Sequence, residues 1–201
     1  MFKSRIFLAG VGGQGTLTAT NLLGLMAVEK GVPVVCGEVH GMAQRGGSVE
    51  SYVLLGGYRS PKIDIGEADV LLGFEPLEGL RYLQYLKKDG WILLSQDPIY
   101  PPEVSLGKRD YPDISYIEKR CKECTKNVLL IPALKLAKKT KSVQTGNIIM
   151  LAFYCMLPVS LFEVGDLIKG IKRFMPEKIQ DVNLKAVDVA VEYAKEKGLE
   201  V

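Results

Sequence analysis

The sequence is poor in the residue types that most directly indicate chemistry or membrane insertion. Its 201 residues include one histidine, one tryptophan and four cysteines. Its longest apolar run, from Ile148 to Pro158, is well short of the roughly 20 residues that a membrane-spanning helix needs. The first residues lead into a strand-like segment without a long apolar region or a small-residue cleavage site. We therefore expect no transmembrane segment, no membrane partner and a cytoplasmic location.

The charges are mixed rather than concentrated. Lysine and arginine number 26, aspartate and glutamate 23, and the formal net charge is +3. Few aromatic residues lie among the basic ones, as base stacking would require, so nucleic acid is not expected as a partner. With 47% hydrophobic residues the chain can bury one sizeable core, which predicts a single domain over residues 1–201.

The cysteines predict no metal site. Cys121 and Cys124 have the spacing of half a site, whereas zinc and iron–sulfur centres usually take four protein ligands. Cys36 and Cys155 lie in apolar runs, where cysteine more often acts as a small hydrophobic residue. A local disulfide, a solvent-facing thiol pair and chance all remain open for the CxxC.

Strand and helix patterns alternate over the first two-thirds of the chain. The first strand, 6–9, and the second, 33–36, are joined by a helix that runs up to Gly31, which predicts a Rossmann-like parallel βαβ unit with a right-handed crossover. A helix from Pro76 is predicted to carry leucines as far as Leu86. Further strands are predicted at 49–55, 70–74, 91–95 and 128–132, and the irregular stretch 97–126 has a possible short strand at 115–117.

Helices alone fill the last third of the chain. They are predicted at 133–139, 144–157, 161–174 and 177–197. The third opens with Ser160 and Glu163 in capping-box spacing, and the last stops at Gly198. This order predicts a three-layer α/β/α sandwich with a mostly parallel sheet, in which 1–132 form the α/β core and 133–201 a helical part of the same domain.

A glycine turn follows the first strand. Gly10, Gly12 and Gly15 satisfy G-x-G-x-x-G at the start of a helix, where backbone N–H groups favour a phosphate or carboxylate. Glu38 lies roughly where a dinucleotide-binding fold places the carboxylate that holds the ribose. From these residues alone, a stand-alone nicotinamide or flavin oxidoreductase and a turn that serves close packing both remain open.

Two stretches carry a family resemblance. GVGGQG at 10–15 and EVHGMAQRGGSV at 38–49 resemble the small (beta) subunit of indolepyruvate ferredoxin oxidoreductase, a gamma-type domain of the 2-oxoacid:ferredoxin oxidoreductase family. The resemblance continues through EADVLLGFEP at 67–76, TGN at 145–147 and Asn183, over nearly the whole chain. It implies thiamine-diphosphate-dependent oxidative decarboxylation of indolepyruvate or another aryl pyruvate to an acyl-CoA, with reduction of ferredoxin, in anaerobic metabolism.

The resemblance also implies a hetero-oligomer. Thiamine diphosphate and the iron–sulfur clusters are expected in a large (alpha) subunit, coenzyme A is expected as cosubstrate, and ferredoxin is reached through the complex. The chain alone is expected to hold no cofactor tightly and to be inactive. We expect its contacts with substrate, coenzyme A or the partner at Gly12, Gly13, Gln14, Gly15, Glu38, Gln44, Arg45, Gly46, Gly47 and Ser48.

Arg45 is the first candidate in the segment 38–48, whose lack of periodicity predicts a loop. Its guanidinium can hold a carboxylate or phosphate through two hydrogen bonds, and Gly46 and Gly47 would let the backbone approach a ligand closely. The alternative is a structural ion pair with Glu38 or Glu75, which are themselves expected to anchor loops at the carboxyl edge of the sheet.

The other polar candidates each have two interpretations. Gln44 and Ser48 can hydrogen-bond a ligand or the local backbone. His40 can act as a general acid or base, or it can orient the loop. Thr145 is expected to cap the helix that follows it, and Asn147 to hydrogen-bond across the core or to a ligand loop.

Overall fold

A computed structural model describes residues 2–40 and 46–199 of the chain. Its strands are β1 (Ser4–Val11), β2 (Val34–His40), β3 (Ser48–Leu55), β4 (Ala68–Gly73), β5 (Leu86–Ser95) and β6 (Val128–Ile131). Its helices are α1 (Thr16–Glu29), α2 (Pro76–Arg81), α3 (Pro102–Ser105), α4 (Ile114–Cys124), α5 (Ala133–Lys139), α6 (Gly146–Met156), α7 (Val164–Phe174) and α8 (Glu177–Glu196). Short 3₁₀ turns precede β5 and α6.

The strands form one mixed sheet in the order β2-β3-β1-β4-β5-β6. The pairs β1–β4, β4–β5 and β5–β6 are parallel, whereas β3 runs antiparallel to both of its neighbours. The predicted mostly parallel α/β sheet is confirmed. The carboxyl ends of β1, β4, β5 and β6 share one edge, and the glycine turn lies there.

The first two strands are parallel, as predicted for the βαβ unit, but they are not neighbours in the sheet. β1 and β2 run in the same direction, but β3 lies between them. The reason is the burial of β3, whose last five residues, 51–55, are all buried and therefore suit the interior of a sheet. β2 exposes Cys36 and Val39 and occupies the edge. Cys36 is accordingly not the buried hydrophobic residue that its apolar context predicted.

Two hydrophobic clusters cover the two faces of the sheet. On one face α1 and α6 pack against the strands, α5, α7 and α8 pack on these two helices and on one another, and α6 is buried along almost its whole length. On the other face α2 and α4 cover a smaller cluster around Phe7, Leu71 and Ile92. The sheet with helices on both faces is the predicted three-layer sandwich.

Several predicted boundaries were wrong. Residues 115–117 lie in α4, because Ile117 and Cys121, four residues apart, form the buried side of this helix. The helix from Pro76 ends at Arg81, and Leu86 begins β5. The capping box of α7 uses Glu163 and Asp166, so Ser160 lies outside it.

Both ends of the segment 38–48, which was predicted as a loop, belong to strands. Glu38 and His40 belong to β2, and Ser48 is the first residue of β3. No helix within residues 2–40 and 46–199 combines the length and apolarity that crossing a membrane would take.

Candidate ligand-binding edge of the sheet

The glycine turn is held in place by the side chain of Gln14. Its Oε1 accepts a hydrogen bond from the Val11 N–H at 2.9 Å, and its Nε2 donates to the Phe74 carbonyl at 2.8 Å. Phe74 directly follows β4, so this amide ties the turn to the neighbouring parallel strand. Gln14, which the sequence predicted as a ligand contact, is thus engaged at both ends within the chain.

Gly15 and Asn147 form a second fixed point of the turn. Gly15 precedes α1 in the left-handed region at φ 78°, and a Cβ there would overlap the Asn147 amide. Asn147 Nδ2 donates to the Gly15 carbonyl at 3.2 Å, while its Oδ1 accepts from the Ile148 N–H at 2.8 Å. Asn147 was predicted to hydrogen-bond across the core or to a ligand loop, and its partner in the structure is the glycine turn. This contact requires glycine at position 15.

Thr145 does not cap α6 as predicted. It occupies the residue before the helix, but its hydroxyl donates to the Ser142 carbonyl at 2.9 Å and lies 3.1 Å from the Thr140 hydroxyl. The side chain therefore stabilises the turn between α5 and α6, and the first N–H groups of α6 receive no cap from it.

The end of the predicted loop pairs with the glycine turn. The Gly12 N–H donates to the Gly47 carbonyl at 2.9 Å, and the Gly46 N–H donates to the Gly12 carbonyl at 3.5 Å. The Gly12 N–H is therefore used inside the chain instead of facing a phosphate. The contact places residues 46–48 and the glycine turn side by side at the carboxyl edge.

A cavity of about 250 Å³ opens beside the turn on the α6 side of the sheet. We call it the apolar cavity, because aliphatic and aromatic side chains form most of its wall. Exposed apolar side chains lie at its rim: Ile99, Leu134 and Val143. The remaining lining residues are Gly13, Gln14, Phe74, Ser95, Asp97, Pro98, Ala133, Gln144, Gly146, Asn147 and Met150.

Asp97 is the one charged side chain among these lining residues. Its Oδ2 accepts from the Leu134 N–H at 2.7 Å and from the Ser95 hydroxyl at 3.1 Å, so it serves the start of α5. The first residues of α6 line the same wall, and the N-terminus of a helix carries a partial positive charge. A wall of this kind suits a ligand with an apolar body and an anionic or hydrogen-bonding end.

A smaller cavity of about 130 Å³ lies on the other face of the sheet, bordered by Gly46, Ser48, Glu75 and Glu78. We call it the acidic cavity. Glu75 is 1% exposed and accepts three hydrogen bonds: from the Glu78 N–H at 2.9 Å, from the Ile99 N–H at 3.2 Å and from the Tyr111 hydroxyl. It therefore anchors the start of α2 and the segment after β5, the loop-anchoring role predicted for it.

The Ser48 hydroxyl is hydrogen-bonded to other side chains rather than to the local backbone. Its hydroxyl lies 2.6 Å from Glu78 Oε2 and 2.9 Å from the Tyr82 hydroxyl. The Tyr82 hydroxyl lies 2.8 Å from Glu50 Oε1, and the Tyr52 hydroxyl donates to Glu50 Oε2 at 2.7 Å. These five side chains form a continuous hydrogen-bonded chain behind the first residue of β3.

The electrostatics of this chain follow from burial. Burial raises the pKa of Glu78, the Ser48 hydrogen bond and the Arg81 charge lower it, and the Glu75 and Glu50 carboxylates raise it. Burial is also the largest cause that raises the pKa of Tyr82 to about 12. The tyrosine hydroxyl therefore keeps its proton at neutral pH.

The remaining predicted residues are only partly placed. Gln44 and Arg45 lie outside the described residues, as does the side chain of His40, so their roles stay predictions. Glu38 lies in β2 opposite Ser51 of β3. Because β3 separates β2 from β1, the strand that carries Glu38 lies roughly 10 Å from the strand that leads into the turn. In a dinucleotide-binding fold the two corresponding strands are neighbours, so the position of Glu38 does not match that interpretation.

Comparison with known proteins identifies the family. Residues 5–193 match the model of the pyruvate ferredoxin/flavodoxin oxidoreductase family. The chain belongs to this family. It is 41% identical to the indolepyruvate oxidoreductase subunit IorB of Pyrococcus horikoshii over 98% of both chains, and 38% identical to the same subunit of Archaeoglobus fulgidus over 96% of both. The resemblance drawn from the glycine turn and the segment 38–49 is confirmed, and the chain is a subunit of the indolepyruvate oxidoreductase type.

Solved structures of this oxidoreductase family share the fold. The gamma subunit of a keto/oxoacid ferredoxin oxidoreductase from Geobacter sulfurreducens has a TM-score of 0.68 at 21% identity, with 98% of each chain covered. A 2-oxoglutarate:ferredoxin oxidoreductase from Magnetococcus marinus has a TM-score of 0.68 at 20% identity. The match covers 98% of this chain but 32% of that one, so the fold there forms one part of a longer polypeptide.

Sequence reasoning missed the hydrogen-bonded chain of the acidic cavity and the role of Asp97. Glu78 and Tyr82 gave no signal in the sequence, because their partners Ser48 and Glu50 are about thirty residues away. One local signal was present: Glu75 stands three residues before Glu78, directly before Pro76, which is typical of a helix start.

Proposed function

We propose that the chain is the small subunit of an indolepyruvate:ferredoxin oxidoreductase. Together with a large subunit it would convert indolepyruvate or another aryl pyruvate into an acyl-CoA and carbon dioxide while ferredoxin is reduced. The observation that carries this proposal is the identity of 41% over 98% of both chains with the Pyrococcus horikoshii subunit. The chain alone is expected to be inactive, and a cytoplasmic location is part of the proposal.

Thiamine diphosphate and the iron–sulfur clusters belong to the large subunit in this proposal. A cluster takes four cysteine thiolates as a rule, whereas the four cysteines here lie on β2, α4 and α6, with Cys121 and Cys155 buried in the packing. They do not fit a cluster. Among residues 2–40 and 46–199, no group of three or more histidine, cysteine, aspartate or glutamate residues could hold a metal ion.

The apolar cavity is the part of this chain that we assign to coenzyme A or the 2-oxoacid. Its volume and apolar wall suit part of such a ligand, and the Asn147 end of α6 offers a positive helix end to a carboxylate or phosphate. Thiamine diphosphate supplies the carbanion chemistry when bound in the partner. The residues of this chain would bind, orient and exclude water from a ligand that spans the interface.

Arg45 is proposed as the anion-binding residue at this interface. Support comes from its sequence position directly before Gly46, which pairs with the glycine turn beside both cavities. Arg45→Ala in an assembled complex should raise the KM for one anionic substrate, and Arg45→Lys should restore part of the loss, since lysine keeps the charge but not the paired hydrogen bonds. Unchanged turnover and KM in assembled Arg45→Ala complex would reject this role.

Residues 1–201 are proposed to act as one domain. The cluster on the α6 side of the sheet joins residues of the α/β part, such as Leu23 and Leu72, with residues of the helical part, such as Phe153 and Leu167. A single cooperative unfolding transition of the isolated chain is the expected result, and two separated transitions would contradict it.

The test of the function is co-expression with a candidate large subunit. Indolepyruvate- and coenzyme-A-dependent reduction of an electron acceptor should appear in the purified mixture and in neither subunit alone. Activity of the isolated small subunit would contradict the proposal. A stable complex that oxidises none of several aryl and alkyl 2-oxoacids would contradict it as well.

A further inference from the structure

The hydrogen-bonded chain of the acidic cavity contains more bonds than its hydroxyl groups can supply. It consists of four oxygen–oxygen contacts: Glu78–Ser48 at 2.6 Å, Ser48–Tyr82 at 2.9 Å, Tyr82–Glu50 at 2.8 Å and Tyr52–Glu50 at 2.7 Å. Each contact needs one proton between its two oxygens. Ser48, Tyr82 and Tyr52 bring one hydroxyl proton each.

The fourth proton has to come from a carboxyl group of the chain. If both Glu50 and Glu78 were ionised, the Ser48 and Tyr82 protons would point to the two carboxylates. The Ser48 and Tyr82 oxygens would then face each other at 2.9 Å with no proton between them. One protonated carboxyl group supplies the missing proton: Glu78 then donates to Ser48, Ser48 to Tyr82 and Tyr82 to Glu50, while Tyr52 donates to Glu50 from the other side.

Glu78 is the carboxyl group whose surroundings favour the proton. Its residue is 5% exposed, and burial, Glu75 and Glu50 raise its pKa. Arg81 opposes this, but its guanidinium reaches only Glu78 Oε1, at 3.3 Å, and its side chain is 54% exposed, which weakens the attraction. Among the described residues these are the charged groups that act on Glu78.

Through Ser48, the chain of hydrogen bonds reaches the residues that we assign to the interface. Ser48 is the first residue of β3, and the two residues before it pair with Gly12 of the glycine turn. The Ser48 hydroxyl is the side-chain attachment of these residues to α2 and to Tyr82.

We propose that Glu78 is a positioning residue, which carries the fourth proton of the chain and, through Ser48, holds residues 46–48 in the geometry that the complex uses. This proposal rests on the proposed function, because it is the assembled oxidoreductase in which these residues meet a ligand or the large subunit. Loss of the proton at higher pH leaves the Ser48–Tyr82 contact without a hydrogen bond, and residues 46–48 lose one of their attachments.

The sign of the pH effect follows from the raised pKa of Glu78. A carboxyl group with a raised folded-state pKa favours folding most where it is protonated, and this contribution is lost as pH rises from the unfolded-state pKa through the folded-state pKa. Glu78→Gln keeps a donor toward Ser48 at every pH. Its melting temperature should therefore exceed that of the wild type at alkaline pH, and the difference should shrink toward acid pH.

The experiment uses three variants of the full chain, studied alone and assembled with the large subunit. Glu78→Gln imitates the protonated carboxyl group, and Glu78→Ala removes it. Glu123→Gln is the matched control, because Glu123 pairs with Arg120 three residues away on the surface of α4, as Glu78 pairs with Arg81 on α2. Infrared difference spectra between wild type and Glu78→Gln at neutral pH report the C=O stretch of a protonated carboxyl group in the isolated chain.

The expected result has two parts. The isolated wild-type chain shows the band of a protonated carboxyl group, which Glu78→Gln lacks and Glu123→Gln retains. In the complex, the KM for the 2-oxoacid or coenzyme A rises with pH in the wild type, stays flat in Glu78→Gln, and is raised at all pH values in Glu78→Ala by about threefold to tenfold, the factor that one hydrogen bond contributes.

Absence of the band in the wild type, or the same pH dependence of KM in wild type and Glu78→Gln, would overturn the proposal. The infrared measurement needs no partner. A complex that has no oxidoreductase activity in any form would therefore defeat the proposed function while leaving the shared proton tested in the isolated chain.

Discussion

The two cavities at the carboxyl edge share the glycine turn as their border but differ in how their polar groups are used. In the apolar cavity, hydrophobic side chains form the wall and expose Ile99, Leu134 and Val143 at the rim. In the acidic cavity, Glu75 and Glu78 are turned inward and bound to hydroxyl and N–H groups of the same chain.

This difference indicates that the apolar cavity binds a ligand or partner, whereas the acidic cavity stabilises the segments around it. Apolar surface at an open rim gains free energy when a ligand or partner covers it. Carboxyl groups that are already hydrogen-bonded inside a protein have little left to offer a ligand, but they fix the segments they touch. The edge therefore combines a wall that can receive a ligand with a polar network that sets the loop beside it.

The largest effect is expected from a substitution in the glycine turn, which borders both cavities. Gly15→Ala places a Cβ against the Asn147 amide at φ 78°. It should lower the free energy of unfolding by about 3 kcal/mol, from the left-handed strain and the overlap together. Chemical denaturation of the isolated chain measures the change. Gly13→Ala is the matched control, since its φ is also positive, at 103°, but no atom lies within 4 Å of the added Cβ. Equal losses in the two variants would contradict the role given to the Asn147 contact.

The next largest effect is expected from a substitution in the acidic cavity. Glu75→Ala leaves the Glu78 N–H, the Ile99 N–H and the Tyr111 hydroxyl without their acceptor. A loss of about 2 to 3 kcal/mol in the free energy of unfolding is expected, because these donors were satisfied by one buried charge. Glu103→Ala, which removes an exposed carboxylate paired with Arg109, should change stability by less than about 0.5 kcal/mol. A Glu75→Ala protein as stable as the wild type would show that water replaces the carboxylate without cost.

A smaller effect is expected from a substitution at the rim of the apolar cavity, which tests whether this cavity binds a ligand. Val143→Glu puts a charge at the rim of the apolar cavity, where the valine is 58% exposed and contributes little to folding. The melting temperature should stay within about 1 °C of the wild type. In the assembled complex the KM for coenzyme A or the 2-oxoacid should rise, by about tenfold if one apolar contact of the ligand is lost. An unchanged KM for both substrates would exclude this rim from ligand binding.

The smallest effect concerns a surface away from both cavities. Burial raises the pKa of Cys121 to about 11, so about one thiol in a thousand is ionised at pH 8, whereas Cys124 of the same helix is exposed. Alkylation of the native chain at pH 8, followed by peptide mass analysis, should label Cys124 well before Cys121. Equal labelling rates would contradict the buried position of Cys121. Both thiols are free in the structure, which leaves no local disulfide.

Much of the fold was predictable because its signals are local. Apolar runs marked β1, β4, β5 and β6, and the glycine turn and the C-terminal helices followed from short-range patterns. The place of β3 was not predictable in this way, since the order of strands depends on which strand buries both faces, and that is decided by packing with distant residues.

In the candidate site, too, some residues were predictable from the sequence and others were not. Asn147 was predicted as a hydrogen-bonding residue because it is polar at the start of an apolar helix, and Glu75 as a loop anchor because it follows a strand at the carboxyl edge. The pairing of Ser48 with Glu78 and Tyr82 was missed, because it joins a strand start to a helix some thirty residues away and on the opposite face from the apolar cavity. Long-range polar contacts leave no periodic trace in a sequence.

The most direct test of the account is hydrogen–deuterium exchange of the small subunit alone and in the complex, with and without coenzyme A and the 2-oxoacid. The account predicts slower exchange on assembly or ligand addition in peptides from the glycine turn, from residues 46–48 and from the start of α6. Peptides from the opposite edge of the sheet, such as the one containing Gly90 at the amino-terminal side of β5, should not change. Protection confined to that opposite edge, with the glycine turn unaffected, would contradict the claim that the carboxyl edge is where this subunit meets its ligand and partner.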